Sequence, residues 1–581
     1  MESNPYLPLI RRYFAPQKGR VCVLFLLLSA GIAIQVGMPQ ILSYYVDTAS
    51  VPSSYHLLIL SACLFIGLVI VNQIVQIFDI YIGERVAWLA TNTIRQEVIL
   101  HCLKMDMSFH KAYSPGEMIE RVDGDVTALA NFFSRFALKI LGNGLLVIGI
   151  IIVLFFTNIW LGLCFTAFAG LSLWLLNRIR EFATPYWIQA RQASADLFSF
   201  LGDSLAGIED IRANGATHHV MSRFMKVTVE LLHKERGAYV RGRSLWPFTI
   251  AVFAVGYAMI FLLGVQLLHL RFITLGTVFA LTSYIGLLLS SLEEVSEEMQ
   301  DFQSASACVR RINELLSRQS SIVHFPQEGK TLPSTALSVQ FSDVHFTYDQ
   351  RSSSLRNVSF ELQPGQTLGL LGRTGSGKTT LTRLLLRLYD VTDGSISVGG
   401  VDIRELSLDE LQRHVGIVTQ EVKLFHASLR DNVTLFHPDV KDERIIDALV
   451  QIGLGQWYQS LPDGLDTYLE PGKTGASAGQ EQLIALARVF LKDPGLVILD
   501  EALSHLDMAT EWLVQQAIHK LLEKRTAIII AHRLQTVQDV DAILILADGN
   551  VLEYGSREAL AQDQTSYYAQ LKRAGKDEVF A

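Results

Sequence analysis

The sequence predicts an α-helical membrane domain of six transmembrane helices with long cytoplasmic extensions, followed by an α/β domain built around a phosphate loop. Three observations predict it. The chain of 581 residues is 50% hydrophobic, too apolar for an ordinary soluble enzyme of this length, and the apolar excess lies almost wholly before residue 300. The run Gly372-Arg373-Thr374-Gly375-Ser376-Gly377-Lys378-Thr379 sits between the apolar segment Thr367–Leu371 and a helix-like Thr380–Leu388. A glycine-rich turn between a buried strand and a helix start presents successive backbone N–H groups to phosphate; Lys378 adds charge and Thr379 reaches a magnesium ion. Later, Leu496-Val497-Ile498-Leu499-Asp500-Glu501 reads as a buried parallel strand whose tip offers two acids to a metal and an attacking water.

From the N-terminus, the segments Val21–Val46, Leu57–Ile80, Ile140–Phe156, Trp160–Leu176, Phe248–Leu268 and Ile273–Leu292 are each near or above the roughly 17–25 residues a bilayer-crossing helix needs. Buried core helices of a soluble domain are the competing reading, but several of these runs lack the polar stripe such helices carry. Arg11, Arg12, Lys18 and Arg20 precede the first span. The connections Asp47–His56 and Thr157–Asn158 carry no Lys or Arg, and the last outer turn carries only Arg271. That asymmetry places the N-terminus in the cytoplasm, and six spans return the C-terminal half to the same side. The long basic connections Glu84–Arg135 and Asn177–Arg243 fall there too. Met1–Gln17 has no apolar core of its own, so the first span is expected to direct insertion.

Cys22, Cys63, Cys102, Cys164 and Cys308 show no metal-ligand spacing and read as inert packing residues rather than a disulfide framework. A formal charge of −8 without a basic block argues against a nucleic-acid partner. After the sixth span, Cys308–Arg318 reads as the end of a long helix and Gln319–Ser334 as an extended connector into a strand at Leu337–Phe341. The expected domains are residues 1–316 in the membrane, a linker over 317–335, and 336–581 as the nucleotide-binding domain.

In this order, the motifs resemble an ATP-binding-cassette (ABC) exporter half-transporter. The resemblance implies that Tyr348 stacks adenine. It also implies that Gly372 to Lys378 with Thr379 and Thr380 hold the phosphates, and that Thr379, Gln420 and Asp500 serve magnesium. By the same likeness Glu501 is the general base, His532 the switch residue on the γ-phosphate, and Ser504-His505-Leu506-Asp507 the loop that meets the opposite subunit. Lys378 and magnesium neutralise charge, Glu501 orients and deprotonates the water, and Gln420 joins the metal to the membrane domain. Phe109, Gly116-Glu117, Arg121 and Asp125 resemble the family's first cytoplasmic loop, and Leu205–Gly215 its second; in that family the loop tips plug into the nucleotide domains.

The likeness departs from the family at the signature. The usual Leu-Ser-Gly-Gly-Gln stands here as Ala476-Ser477-Ala478-Gly479-Gln480, with Glu481 and Leu483 where basic residues commonly follow. Such a segment opens a helix facing the γ-phosphate held by another subunit, contacted through Ser477, Gly479 and Gln480. An added β-carbon at Ala478 and a carboxylate at Glu481 both oppose an approaching anion. Glu470, in the stretch before it, does not align cleanly with the family's acidic cross-contact loop. A weakened signature beside intact Glu501 and His532 favours one member of an asymmetric heterodimer over a homodimer.

The implied function is ATP-driven export of a hydrophobic or amphipathic solute, with a nucleotide-gated regulatory or channel-like ATPase as the alternative. ATP and Mg2+ are the expected cofactors, and the partners are a second half-transporter, the lipid bilayer and the solute. A cytoplasmic (inner) membrane of bacterial type fits the low cysteine use. Uncharged Gln35, Asn72, Gln73, Gln76, Asn143, Gln266, Ser283 and Tyr284 either line a cavity or bond between helices. Asp79, Glu84 and Arg85, where the second span should leave the inner leaflet, read as interfacial or cytoplasmic ahead of a substrate site.

Overall fold

The computed structural model describes residues 12–13, 15–49, 55–243, 245–322, 330–349, 352–470, 476–500, 508–531 and 534–573. The chain divides into two compact units, one of Met1–Lys104 with Tyr113–Gln319 and one of Met105–Ala112 with Ser320–Ala581.

Among the described residues of the first unit six helices are long and apolar enough to cross a membrane, at Ala15–Ala49, Tyr55–Lys104, Pro115–Thr157, Ile159–Arg178, Ile250–His269 and Leu275–Val295. Each contains or closely matches an expected span. Three helices are continuous far beyond a bilayer: Tyr55–Lys104 has 50 residues, Ile159–Ala206 has 48 and Leu275–Ser317 has 43. At 1.5 Å per residue the first of these reaches about 75 Å, against a hydrocarbon core of about 30 Å. Pro185 lies inside the second without ending it. The second long connection is not continuous. The helix ends at Gly207, a turn of helix Ile208–Ala213 follows, and Gly215 at φ +65° turns the chain into Thr217–Arg243.

The bundle core is made by Leu146, Ile150, Leu154, Leu161, Phe165, Ile260, Tyr284, Ile285 and Leu288. First and sixth spans approach closely where the first ends and the sixth begins, and a β-carbon on Gly276 would lie 2.1 Å from the Ser43 carbonyl oxygen. Asp47 accepts from Thr274 Oγ1 (2.6 Å) and the Gly276 N–H (2.8 Å), while Tyr284 donates its hydroxyl to the Val36 carbonyl (2.7 Å). Of the polar positions in the spans, Tyr284 is therefore an interhelical bond rather than a cavity wall. Ser283 turns back on its own helix at Phe279, and Asn143 donates to Glu294. Asp79 is 6% exposed and packed beside Gly31 of the first span, and its Oδ1 has no partner among the described residues.

The described residues of the second unit form twelve strands: β1 Val339–Asp349, β2 Ser352–Leu362, β3 Thr367–Gly372, β4 Asp393–Val398, β5 Val401–Asp402, β6 Val415–Val418, β7 Ala427–Ser428, β8 Tyr468–Leu469, β9 Leu496–Asp500, β10 Thr526–Ile530, β11 Ala542–Ala547 and β12 Asn550–Ser556. One antiparallel sheet runs β2-β1-β4-β5, a larger one β12-β11-β3-β10-β9-β6, and β7 pairs with β8. Strand β1 begins two residues later than expected and continues through Tyr348, which thus stands on a strand. In the larger sheet β3, β6, β9, β10 and β11 are mutually parallel, largely buried, and composed of Val, Ile, Leu, Ala and Gly apart from Thr367, Thr526 and Asp500 at strand ends, as a sheet covered on both faces demands. Two apolar cores flank it: one is centred on Leu429, Ile445, Leu449, Ile484, Leu486 and Val514, the other on Phe341, Leu355, Leu381, Leu384, Ile396 and Leu411.

Candidate nucleotide site

The site residues take their positions from the ends of the parallel strands. Ile530 of β10 pairs with Leu370 of β3 on one side and with Asp500 of β9 on the other, so the loops after all three strands leave the sheet at the same level. Ligands of open parallel sheets bind outside these carboxyl ends. The phosphate loop leaves β3 through Gly372 and enters the helix Lys378–Leu385.

Each loop glycine has a positive φ, +151° at Gly372, +84° at Gly375 and +107° at Gly377. At two of them space is also lacking. A β-carbon on Gly372 would sit 2.4 Å from the Leu546 carbonyl oxygen, and one on Gly377 would sit 2.6 Å from Leu355 Cδ2 and 2.9 Å from the Ser354 carbonyl oxygen. The Lys378 side chain is buried, its ammonium donating to the carbonyls of Gly372 (2.5 Å) and Arg373 (3.1 Å). Ser376 is 4% exposed and its hydroxyl has no partner among the described residues. A buried hydroxyl without a partner, a buried ammonium and a helix start are donors that suit a phosphate chain. Arg373, Thr374 and Thr379 are exposed along the loop, and Thr380 is buried behind it.

Tyr348 is oriented from several sides. Its hydroxyl donates to Thr380 Oγ1 (3.3 Å) and accepts from Arg383 Nη1 (3.4 Å), and its ring meets Phe346 and Tyr389 nearly at right angles, at 4.8 and 5.1 Å. The Lys111 ammonium stands 4.7 Å from the ring centroid. Gln420 is exposed after β6, and its carbonyl accepts from Gln482 (3.3 Å), which ties that loop to the signature helix. For magnesium, Thr379, Gln420 and Asp500 offer a hydroxyl, an amide and one carboxylate. That set suits an ion that commonly keeps one or two carboxylates and takes substrate phosphates. Glu501, Asp507 and His532 lie outside the described residues, as does Ser504.

The signature segment opens the helix Ala478–Lys492 with a capping box, in which Ser477 Oγ accepts the Gln480 N–H (3.3 Å) and Gln480 Oε1 accepts the Ser477 N–H (2.8 Å). Ala478 is exposed, whereas Gly479 is buried under the neighbouring helix Met508–Leu522. A β-carbon there would fall 1.8 Å from Thr510 Cγ2. Burial raises the Glu481 carboxyl above its ordinary range against the opposing pull of Lys423.

Sequence reasoning missed Asp106. Its Oδ1 accepts the Phe109 N–H (3.0 Å), and its Oδ2 accepts the Ser321 N–H and hydroxyl (both 2.6 Å) and the Ser320 hydroxyl (3.3 Å). Burial would raise this carboxyl, but the bonds from Ser321, Phe109 and Ser320 outweigh it and hold it below the usual range. An aspartate ahead of a six-residue helix was a visible cap signal; its second set of partners, over 200 residues away, was not. Farther along, Asp125 accepts from Arg311 Nε (2.8 Å) and Glu117 pairs with Arg121 (2.9 Å). Cys308 beside Arg311 is buried, which pushes its thiol up to about 11 and fits an inert packing role; all five cysteines are free.

Two family models divide the chain between them, the ABC transporter model over residues 355–504 and the ABC transporter transmembrane region over residues 21–292. This chain belongs to the ABC transporters. It is a half-transporter of the exporter type, with an ATP-hydrolysing domain that uses ATP with Mg2+, and it is a multi-pass membrane protein. Among the proteins that this ABC transporter resembles are an uncharacterized ABC transporter ATP-binding protein of Bacillus subtilis, YknV, and an ATP-dependent lipid A-core flippase of Syntrophus aciditrophicus. The first is 29% identical over 94% of this chain and 91% of its own length. The second is 27% identical over 84% and 80%. A probable multidrug resistance ABC transporter ATP-binding/permease protein of Bacillus subtilis, YheH, is 29% identical over 88% and 76%. The fold matches that of a bacterial Atm1-family ABC exporter solved with ATP bound, with a TM-score of 0.81 at 23% identity over 97% of this chain and 99% of that one.

Proposed function

We propose that this half-transporter moves a hydrophobic or amphipathic organic solute out of the cytoplasm across a bacterial-type cytoplasmic membrane, as the hydrolytic half of an asymmetric heterodimer. The signature carries the second part of the reading. Ala478 stands exposed at the helix start, and the half-buried Glu481 carboxylate lies in the first turn, where an anion from another subunit would approach. The residues that serve this chain's own nucleotide are the full set: Lys378, Thr379, Gln420, Asp500, Glu501 and His532. They would pair with a better signature on the partner, and this chain's signature would complete a slower site there.

In the hydrolytic site Tyr348 receives the base, while Gly372, Arg373, Thr374, Gly375, Ser376, Gly377, Lys378 and Thr380 bind the phosphates. Glu501 takes the proton from the attacking water, and His532 holds the γ-phosphate oxygens. Magnesium, when bound through Thr379, Gln420 and Asp500, neutralises charge on the phosphate oxygens. Ser477, Gly479, Gln480 and Asp507 serve the subunit interface. The proposed domains are residues 1–316 in the membrane, 317–335 as the linker and 336–581 as the nucleotide-binding domain. The apolar exposed faces of the spans suit the bilayer, and two of the similar proteins carry names that concern drugs and lipid A-core.

Weighing the intact complex after gentle extraction from the native host, with every subunit identified by mass, tests the assembly. The expected result is this 64.8 kDa chain with one different cassette chain that has an intact signature and an altered catalytic carboxylate or switch histidine. Two copies of this chain alone would reject the heterodimer. A channel-like ATPase would instead show nucleotide-dependent conductance without uphill transport.

A further inference from the structure

The loop residue Lys111 carries a consequence for nucleotide binding. It lies in the helix Met107–Ala112, within the same compact unit as the nucleotide domain. Its ammonium stands over the Tyr348 ring, 4.7 Å from the centroid, and the side chain forms no ion pair among the described residues. The ring is fixed by Thr380, Arg383, Phe346 and Tyr389, so it cannot turn its face elsewhere without breaking those contacts. Lys111 is held over a fixed aromatic face by the attraction of a cation to a π-system.

A stacked base needs a face of that ring. We infer that Lys111 tunes the affinity of the nucleotide site: it competes with the purine base for the Tyr348 face and must be displaced as the base stacks. The inference rests on the reading of Tyr348 as the base platform. Base–aromatic stacking is the stronger of the two interactions, so ATP still binds, but with an affinity lowered by the displacement. Because linkage is reciprocal, whatever fixes the Met107–Ala112 helix against Tyr348 weakens ATP, and ATP in turn releases that helix from this contact. The competition concerns the base alone. Among the described residues Lys111 makes no hydrogen bond or ion pair to the phosphate loop, and its effect separates from phosphate binding.

The test uses the full chain in its assembled transporter, with equilibrium binding of ATP and, as a base-free probe, of inorganic tripolyphosphate. Lys111→Ala is expected to tighten ATP about two- to fivefold, the range an exposed cation–π contact supports, and to leave tripolyphosphate unchanged. Lys111→Arg, whose guanidinium stacks on aromatic faces, is expected to bind ATP no more tightly than the natural chain. Unchanged or weaker ATP binding in Lys111→Ala overturns the inference, as does an equal change in tripolyphosphate. Tyr348→Leu separates the two levels: if it weakens ATP while Lys111→Ala is neutral, only the role of Lys111 fails. If Tyr348→Leu leaves ATP affinity intact, the platform itself is wrong and the inference falls with it.

Discussion

Glu501→Gln is expected to lower steady-state phosphate release by about 10²–10⁴-fold while nucleotide still binds with near-natural affinity. Gln keeps an oxygen acceptor near the water but cannot take its proton, so the chemical step loses its base. The phosphate loop proposed to bind the nucleotide is untouched. In an asymmetric pair the loss should be almost complete, because the partner's site is the slow one. Phosphate release and nucleotide binding measured on the same preparation decide it. Turnover that is undiminished removes Glu501 from the role, and a parallel loss of binding would show that the substitution acted on the site's structure instead.

Gly479→Ala is expected to be the most damaging single methyl in the signature segment. The added carbon would lie 1.8 Å from Thr510 Cγ2 and 3.1 Å from Thr510 Cβ, so rotating the methyl away does not clear the whole side chain. Thr is stiff at χ1 and has few alternatives to retreat into. Overpacking of this kind costs about 1–3 kcal/mol, read as a lower thermal midpoint of the detergent-solubilised chain. Adding Thr510→Ala, which removes the opposing side chain, should recover much of the loss. Full stability in Gly479→Ala would show that the two helices part easily. The same geometry accounts for where the signature departs from its family: residue 478 is exposed and accepts a β-carbon, whereas residue 479 is pressed against the next helix.

The parts legible in the sequence were those with continuous local signals. Spans showed as apolar runs of bilayer length, and β3, β9 and β10 as short apolar runs closed by glycine, by acids or by a histidine. Strand order was not legible, because nothing local says that β10 lies between β3 and β9. The burial of Asp79 was hidden for a related reason: its surroundings depend on Gly31, far back in the chain, and span counting sees only distance from the helix start. Lys111, two residues after Phe109, had no legible role, since its proximity to Tyr348 joins residues more than 200 positions apart. Glycine was the one residue type whose local reading and packing reading coincided. Gly372 and Gly377 are required by a positive φ and by crowding at once.

The pairing of Leu370, Ile530 and Asp500 at one level of the sheet makes the hydrogen-bond ladder a ruler for the chemistry. Three segments distant in sequence are measured against one another by backbone geometry, at about 3.3 Å per residue. Side chains inside β10 can therefore drift among Val, Ile and Leu with little effect on the loops. A single inserted or deleted residue cannot be absorbed in the same way, since it shifts one loop by a full residue step and turns the strand's faces over. Variation in this region of the chain is thus open to exchange of residues and closed to change of length.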